Sequence, residues 1–445
     1  MPKITFVGAG STVFAKNILG DCMHVEALKD SQIALYDIDG TRLGESRKML
    51  ETLNQTINQG RADIRAYHGP EMRREALTGA DYVVNAVQVG GYEPCTVLDF
   101  ELPKKHGLRQ TIGDTVGIGG VLRGLRTAHA LLPMAREMED VCPEAWFLNY
   151  TNPMSIVTGL MLEASGIRTV GLCHSVQVCV PVLLWVLGLH EDVTEVRSKI
   201  AGINHMGWLL EITDAGRDLY PEIKRRAEAK NREARPAGAK KHFDMVRFEM
   251  MKHFGYYVTE SSEHSAEYSP YWIKSQFPGL IEEFNIPLDE YPRRCVRQIE
   301  EWKGLAEKLV HSDSLTHDKT QEYGAYIMEA MATDVPIKIG GNVLNRGFIP
   351  NLPASAVVEV PCLVDRNGVQ GTYVGDLPEQ CAALCRSHIA VHRLVLEAAL
   401  TGRRDAIYQA AYLDPHTASE LPLDTIRQLV DELLAAESEW LPEYR

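Results

Sequence analysis

The first 190 residues alternate short apolar runs with stretches of helical periodicity. Strand-like runs lie at 4–7, 33–36, 64–67, 82–89, 146–150 and 169–173, and clear helical stretches lie at 41–58 and 122–139. Apolar strands that alternate with helices are typical of a parallel sheet covered by helices on both faces. The pattern therefore predicts an α/β fold with a doubly wound parallel sheet at the N-terminus.

The pattern changes beyond about residue 195. Strand-like runs lie within 199–213 and at 335–343 and 357–364, and helical periodicity marks 245–254, 296–310, 320–332 and most of 377–434. We therefore expect two domains. Residues 1–195 would form the parallel sheet, and residues 196–445 would form a mixed α/β domain that caps the carboxyl edge of that sheet.

Composition and charge narrow the class of protein. The 445 residues are 45% hydrophobic and 24% charged, which is ordinary globular composition. No apolar run approaches the ~20 residues that span a bilayer, and the first residues have the pattern of a strand and turn instead of a cleavable signal. A net charge of −14 disfavours nucleic acid and anionic membranes as partners.

The cysteines indicate the compartment. There are nine, an odd number, and they are scattered without a CxxC pair. Such usage makes a disulfide framework improbable, so we expect a reducing, cytoplasmic setting.

A glycine-rich turn follows the first strand. Gly8 and Gly10 would let the backbone turn tightly and approach a pyrophosphate, with Ser11 opening the helix. Val13 replaces the third glycine of the usual fingerprint, so the motif alone is weak. Asp37 ends the second strand, where a carboxylate accepts ribose hydroxyls and repels a 2′-phosphate. This arrangement predicts a Rossmann-like domain that binds NAD in preference to NADP, with a plain tight turn as the alternative.

Polar side chains follow the later strands as well. Asn85 ends one strand, and Asn149 and Asn152 follow the next. Ligands of open parallel sheets bind beyond the carboxyl ends of the strands, so these amides are candidate contacts to a nicotinamide ribose or a substrate. A turn before the helix at 154–163 explains the Asn-Pro pair equally well.

Three further features offer catalytic chemistry. Cys173 at a strand end and His205, 32 residues later, could hold a borderline-soft divalent cation, although spacing alone favours a buried cysteine and a satisfied histidine. The glycine-rich loop at 113–120 suggests close approach to a ligand. The run at 259–268 concentrates acid and base side chains, with a capped, solvated helix start as the alternative.

Six motifs in one order carry a resemblance to a known family. They are FVGAGSTVF, NAVQVGGYEPCTVLDFELPKKHGLRQTIGDT, NYTNPM, GLCHS, AGINHMGW and TESSEHSAEY, at residues 6–14, 85–115, 149–154, 171–175, 201–208 and 259–268. The chain resembles glycoside hydrolase family 4 nearly from end to end. Within that family the resemblance implies hydrolysis of terminal α-galactosides. Other members act on glucosides, glucuronides, galacturonides or 6-phosphoglycosides, and a net NAD-dependent dehydrogenase is the alternative outside the family.

The resemblance also implies the chemistry. Family members use NAD⁺ to oxidise the C3 hydroxyl of the sugar, which acidifies the C2 proton. A base removes that proton, the C1–oxygen bond breaks by elimination, water adds, and the hydride returns. A divalent cation, usually Mn²⁺, chelates the C2 and C3 oxygens.

Residue roles carry over position by position. The resemblance makes Cys173 and His205 the metal ligands, Asn152 a substrate and cofactor contact, and His174 the proton donor. Asp114 would bind or protonate the glycosidic oxygen, and Arg294 would contact substrate. For the base we expect Tyr257 or Glu263, and the nearby alternatives are Tyr256, Glu260 and His264. The remaining expectations are a small sugar as substrate and a homo-oligomer, either a dimer or a tetramer.

Overall fold

The computed structural model describes residues 1–310, 312 and 314–445. Its strands are β1 (Lys3–Val7), β2 (Gln32–Asp37), β3 (Asp63–His68), β4 (Tyr82–Asn85), β5 (Trp146–Asn149), β6 (Arg168–Gly171), β7 (Val196–Ile203), β8 (Met206–Asp214), β9 (Arg217–Asp218), β10 (Tyr257–Val258), β11 (Ile337–Leu344), β12 (Val357–Asp365) and β13 (Gly368–Gly371).

The helices of the first half alternate with its strands. They are α1 (Thr12–His24), α2 (Gly40–Asn58), α3 (Arg73–Leu77), α4 (Val97–Lys105), α5 (Gly117–Val141), α6 (Met154–Ala164) and α7 (Ser175–Val186). The helices of the second half are α8 (Tyr220–Ala234), α9 (Met245–Phe254), α10 (Ser262–Glu267), α11 (Gly279–Glu283), α12 (Glu290–Val310), α13 (Tyr323–Thr333), α14 (Glu379–Thr401), α15 (Arg404–Leu413), α16 (Pro415–Glu420) and α17 (Leu423–Ala436).

The strand order confirms the predicted doubly wound sheet. Parallel pairing gives the order β3-β2-β1-β4-β5-β6, which is the order of nucleotide-binding folds with a switch point between β1 and β4. Along β1, Ile4 and Phe6 pack into one hydrophobic cluster while Val7 packs into another on the opposite face. Helices therefore cover both faces, as the apolar strand pattern predicts.

The sheet continues into the second half of the chain. An antiparallel bridge between Asn342 and Gly171 joins β11 to β6, and the order continues β11-β12-β7-β8-β10. At the other end of the chain, α14 and α15 pack back against α5 and α6. The division at residues 195 and 196 stays a prediction, since one sheet runs through both halves.

One predicted strand is shorter in the structure. The run at 82–89 leaves the sheet after Asn85, and the chain then bends through Gly90 and Gly91, which have φ of +78° and +62°. The change of direction takes the backbone over the carboxyl edge of the sheet. None of the described helices has the length together with the apolar character that a bilayer crossing requires.

Candidate active site

The turn after β1 is built for close approach. Gly8 has φ +87°, and a Cβ there would lie 2.7 Å from the carbonyl oxygen of Ala86. The Gly10 amide donates to Asp37 Oδ2 at 2.6 Å, and a Cβ on Gly10 would lie 2.8 Å from that oxygen. Val13 is 42% exposed, so it takes no part in packing α1 against the sheet and a third glycine is not needed. The turn therefore fits a dinucleotide despite its incomplete fingerprint.

A cavity of about 430 Å³ opens where β4, β5 and β6 end, beside this turn. The sequence-predicted residues that line it are Ser11, Asp114, Asn152, Cys173, His174, His205 and Arg294, together with Glu260 and His264 from the alternatives for the base. Segments from both halves of the chain therefore converge on one pocket at the carboxyl edge of the sheet, which is the position where ligands of such sheets bind.

Three of the lining side chains have the arrangement of a cation site. One ligand atom each from Cys173, His205 and Glu260 lies within 4.8 Å of the others. His205 Nδ1 hydrogen-bonds the Tyr268 hydroxyl at 3.1 Å, which leaves Nε2 facing Glu260 Oε2 at 3.9 Å. A second partner that orients the imidazole is typical of metal-binding histidines. Thiolate, imidazole and carboxylate together suit a divalent cation.

The backbone at two of these residues is strained. His205 lies in the tight turn between β7 and β8 with φ +61°, and Glu260 precedes α10 with φ +66°. Non-glycine residues with positive φ cost about 1–3 kcal/mol and concentrate at functional sites. The conformation directs both side chains into the same cavity.

The charge states of two donors follow from their surroundings. Burial raises the pKa of the Cys173 thiol well above its ordinary value, so a bound cation is what would favour the thiolate. Burial also acts to raise the pKa of Glu260, but the neighbouring imidazoles of His264 and His205 outweigh it and lower that pKa. Glu260 is therefore a carboxylate in the pocket.

Asp114 and Asn152 form a polar wall of the cavity. Asn152 Nδ2 donates to Asp114 Oδ2 at 3.3 Å, and the Thr115 hydroxyl donates to Asp114 Oδ1 at 2.8 Å. Asn152 Oδ1 is buried and has no hydrogen-bond partner among the described residues. An unpaired buried acceptor is costly, so this oxygen is suited to a ligand hydroxyl.

The loop that carries Asp114 is fixed by two buried carboxylates. Glu267 Oε2 accepts from the Thr111 hydroxyl and from the amides of Ile112 and Gly113, at 2.9–3.0 Å. Asp414 Oδ1 accepts from the Gly117 amide at 3.1 Å. The glycine-rich loop at 113–120 is therefore held in place before any ligand binds.

His174 lines the same cavity. Its Nε2 lies 2.7 Å from Glu322 Oε2, and this hydrogen bond raises the pKa of His174. A histidine whose protonated form is favoured in this way can donate a proton near neutral pH.

Gly8, Gly10 and Asp37 lie beside the cavity without lining it, and two further predicted cofactor contacts, Asn85 and Asn149, do not line it either. Asn85 and Asn149 are fully buried, and Asn85 Nδ2 donates to Asn149 Oδ1 at 2.9 Å. Asn149 Nδ2 donates in turn to the Thr151 carbonyl at 3.1 Å. The two amides therefore bond neighbouring strand ends to each other.

The structure places Tyr257, one of the two predicted bases, away from the cavity. Tyr257 is fully buried in β10, its hydroxyl donates to Asp244 Oδ2 at 2.7 Å, and the Arg247 guanidinium lies 4.6 Å from its ring centroid. Burial raises its pKa well above the ordinary value. Its hydroxyl is therefore occupied and does not reach the cavity.

Glu263, the other predicted base, is held in an ion pair. Its carboxylate accepts from Arg294 Nη2 at 2.7 Å, and it does not line the cavity. Glu260, which the sequence offered only as one of several alternatives, is the carboxylate of this run that lines the cavity. The sequence feature that pointed to Glu260 was the acidic run at 259–268, but nothing in that run shows which of its carboxylates faces the cavity.

Two family models match successive parts of the chain. The model of the family 4 glycosyl hydrolases matches residues 3–189, and the model of the family 4 glycosyl hydrolase C-terminal domain matches residues 200–417. An α-galactosidase of Bacillus subtilis (strain 168) is 56% identical over 445 residues, which is 100% of both chains. An α-galactosidase of Rhizobium meliloti (strain 1021) is 33% identical, covering 99% of this chain and 89% of the relative.

A solved structure shares the fold over the whole length. It is a 6-phospho-α-glucosidase from gut microorganisms in complex with NAD and Mn²⁺, with a TM-score of 0.81, 20% identity and 100% of both chains covered. With two family models covering most of the chain and a full-length relative at 56% identity, the protein belongs to family 4 of the glycosyl hydrolases.

Proposed function

We propose that this protein is an α-galactosidase that hydrolyses terminal α-galactosides. It would work with bound NAD⁺ and a divalent cation, for which we expect Mn²⁺. The observation that carries the proposal is the meeting of Cys173, His205 and Glu260 within 4.8 Å in a cavity beside the glycine turn. The full-length relatives that are α-galactosidases support the choice of sugar, and the similar structure with NAD and Mn²⁺ supports the cofactors.

The first half of the chain holds the nucleotide in this proposal. Gly8, Gly10 and Ser11 would receive the pyrophosphate at the start of α1, and Asp37 would accept the ribose hydroxyls and repel a 2′-phosphate. Cys173 and His205 would hold the cation, and the Glu260 carboxylate lies beside these two donors. When bound, NAD⁺ supplies a hydride acceptor and the cation stabilises negative charge on sugar oxygens.

The remaining cavity residues act on the sugar. Asn152 Oδ1 and the Asp114 carboxylate accept hydrogen bonds from sugar hydroxyls, and Arg294 closes that side of the pocket. His174 donates a proton to the departing glycosidic oxygen, with Glu322 holding its imidazole. Glu260 takes up the C2 proton, because it is the carboxylate beside the cation donors.

Hydrolysis of nitrophenyl α-galactoside tests the proposal. We expect activity only with both NAD⁺ and Mn²⁺ present, and little net NADH during turnover. Release of NADH equal to product would identify a dehydrogenase instead. The α-glucoside, the α-galacturonide and the 6-phosphorylated α-galactoside serve as comparison substrates, and faster turnover of any of them would overturn the assignment of the sugar.

We also infer a homo-oligomer and a reducing, cytoplasmic setting. The side chains of Val178 and Trp185 on α7 are 44% and 62% exposed, which supports a partner surface there. All nine cysteines are free thiols, which supports a reducing compartment. Light scattering of the purified chain distinguishes a monomer from the expected dimer or tetramer.

A further inference from the structure

The cavity has two permanent positive charges among its described lining residues, Arg123 and Arg294. Arg123 is 6% exposed, its Nη1 donates to the Tyr291 hydroxyl at 3.0 Å, and its guanidinium carbon lies 5.5 Å from the centroid of the Tyr291 ring. Arg123 is therefore buried against Tyr291, whereas the Arg294 side chain is 37% exposed. Arg294 is the more accessible of the two cations.

Arg294 carries its own counter-charge. Its Nη2 donates to Glu263 Oε1 at 2.7 Å, and its Nε lies 3.3 Å from Glu290 Oε1. Glu290 divides its charge, because it also pairs with Arg293 at 3.0 Å and with Arg297 at 3.8 Å. The carboxylate of Glu263 pairs with Arg294, and its side chain is only 14% exposed. Glu263 is therefore the main neutralising partner of Arg294.

We propose that Glu263 determines the class of sugar that the cavity accepts. By engaging Arg294, it makes the pocket favour uncharged glycosides over glycosides whose sugar carries a phosphate or a carboxylate. This inference rests on the proposed function, and it makes Glu263 a positioning residue for Arg294 instead of a base.

The physical reason is competition for one guanidinium. A phosphate or carboxylate binds tightly where a guanidinium fork is free to make two parallel hydrogen bonds. In this cavity the fork is already bonded, and the charge of Glu263 repels a second anion. Sugar hydroxyls need no free charge and can still use the remaining Arg294 N–H groups. Rejection through an unfavourable charge is a general route to specificity.

The test compares neutral and anionic sugars on the holoenzyme with NAD⁺ and Mn²⁺. Calorimetry gives the dissociation constants of galactose, galactose 6-phosphate and galacturonate for the wild type and for Glu263→Gln, which removes the charge and keeps the shape. We expect the wild type to prefer galactose, and the ratio of anion to galactose affinity to rise at least ~5-fold in the variant.

Two further variants isolate the cause. Glu137→Gln breaks an ion pair with Arg73 of 2.8 Å outside the cavity and should leave the ratio at its wild-type value. The double variant Glu263→Gln/Arg294→Gln should lose the gained affinity for anions, because the positive charge that Glu263 no longer neutralises is gone. Equal unfolding midpoints confirm that each variant is folded.

The proposal is overturned if the ratio is the same in Glu263→Gln as in the wild type, or if the wild type binds an anionic sugar as tightly as galactose. Hydrolysis of nitrophenyl α-galactoside by the wild type is a separate measurement. Its absence would refute the proposed function, whereas an unchanged affinity ratio in an active enzyme refutes only the role of Glu263.

Discussion

At the scale of single residues, the site depends on side chains that the sequence separates widely. Cys173 follows β6, His205 turns between β7 and β8, and Glu260 precedes α10. Spacing alone favoured a buried cysteine and a satisfied histidine, and only the family resemblance pointed to a metal pair. Glu260 could not be singled out, because its left-handed backbone is set by the fold around it.

Glu260→Gln tests the carboxylate of the cation site. Because it keeps the shape and removes the charge, we expect kcat to fall ~10²–10⁴-fold and Mn²⁺ to bind more weakly. Binding of NAD⁺ should stay unchanged. Steady-state rates and Mn²⁺ calorimetry give both quantities, and Glu282→Gln on the exposed surface of α11 is the matched control. A kcat within twofold of the wild type would show that Glu260 takes no part.

Tyr257→Phe tests whether the Tyr257 hydroxyl takes part in catalysis. The variant loses the hydrogen bond to Asp244 in the core, so we expect the free energy of unfolding to fall by about 1–3 kcal/mol. The kcat should change less than twofold, since the hydroxyl does not reach the cavity. Urea unfolding and steady-state kinetics measure the two effects. A hundredfold loss of kcat in a folded variant would restore Tyr257 as a catalytic residue.

At the scale of elements, periodicity predicted most of the first half. The alternation of apolar strands and helices is enough to predict β1 to β6, since buried parallel strands carry apolar residues on both faces. The acidic run before and within α10 was harder. In that run Glu260 faces the cavity, Glu263 pairs with Arg294 and Glu267 fixes the loop at 113–120. Which carboxylate points where depends on the helix starting at Ser262, and composition does not show that.

Glu267, which fixes the loop at 113–120, makes the free energy of unfolding depend on pH. Burial raises the pKa of Glu267 to about 7, above its ordinary value of 4.5, so the folded state binds the proton more tightly than the unfolded state. The stability from this group is complete below pH 4.5 and is lost as the pH rises through 7. We expect the free energy of unfolding to fall with rising pH in that window, by roughly 1 kcal/mol per pH unit from this group.

Urea unfolding of wild type and Glu267→Gln between pH 4.5 and 8 measures that effect. The neutral amide cannot titrate, so the two curves should converge or cross as the wild type loses its proton. Glu359, whose pKa burial also raises to about 7, leaves a residual slope in both proteins. Parallel curves across the whole range would mean that Glu267 stays ionised in the folded state.

At the scale of the whole molecule, the two halves could be predicted but not their junction. The sequence does not show that β11 pairs with β6, because one antiparallel bridge between distant segments leaves no local pattern. The return of α14 and α15 onto α5 and α6 is equally non-local. This junction brings His205 from the second half to Cys173 from the first, so the cation site is a product of the entire sheet.

Hydrolysis of an α-galactoside in deuterated water tests the central claim most directly, namely that a base beside the cation site exchanges the C2 proton of the sugar. With NAD⁺ and Mn²⁺ bound, the account predicts galactose that carries deuterium at C2, without net accumulation of NADH. Rapid hydrolysis that leaves only protium at C2 would contradict it and would indicate direct displacement at C1.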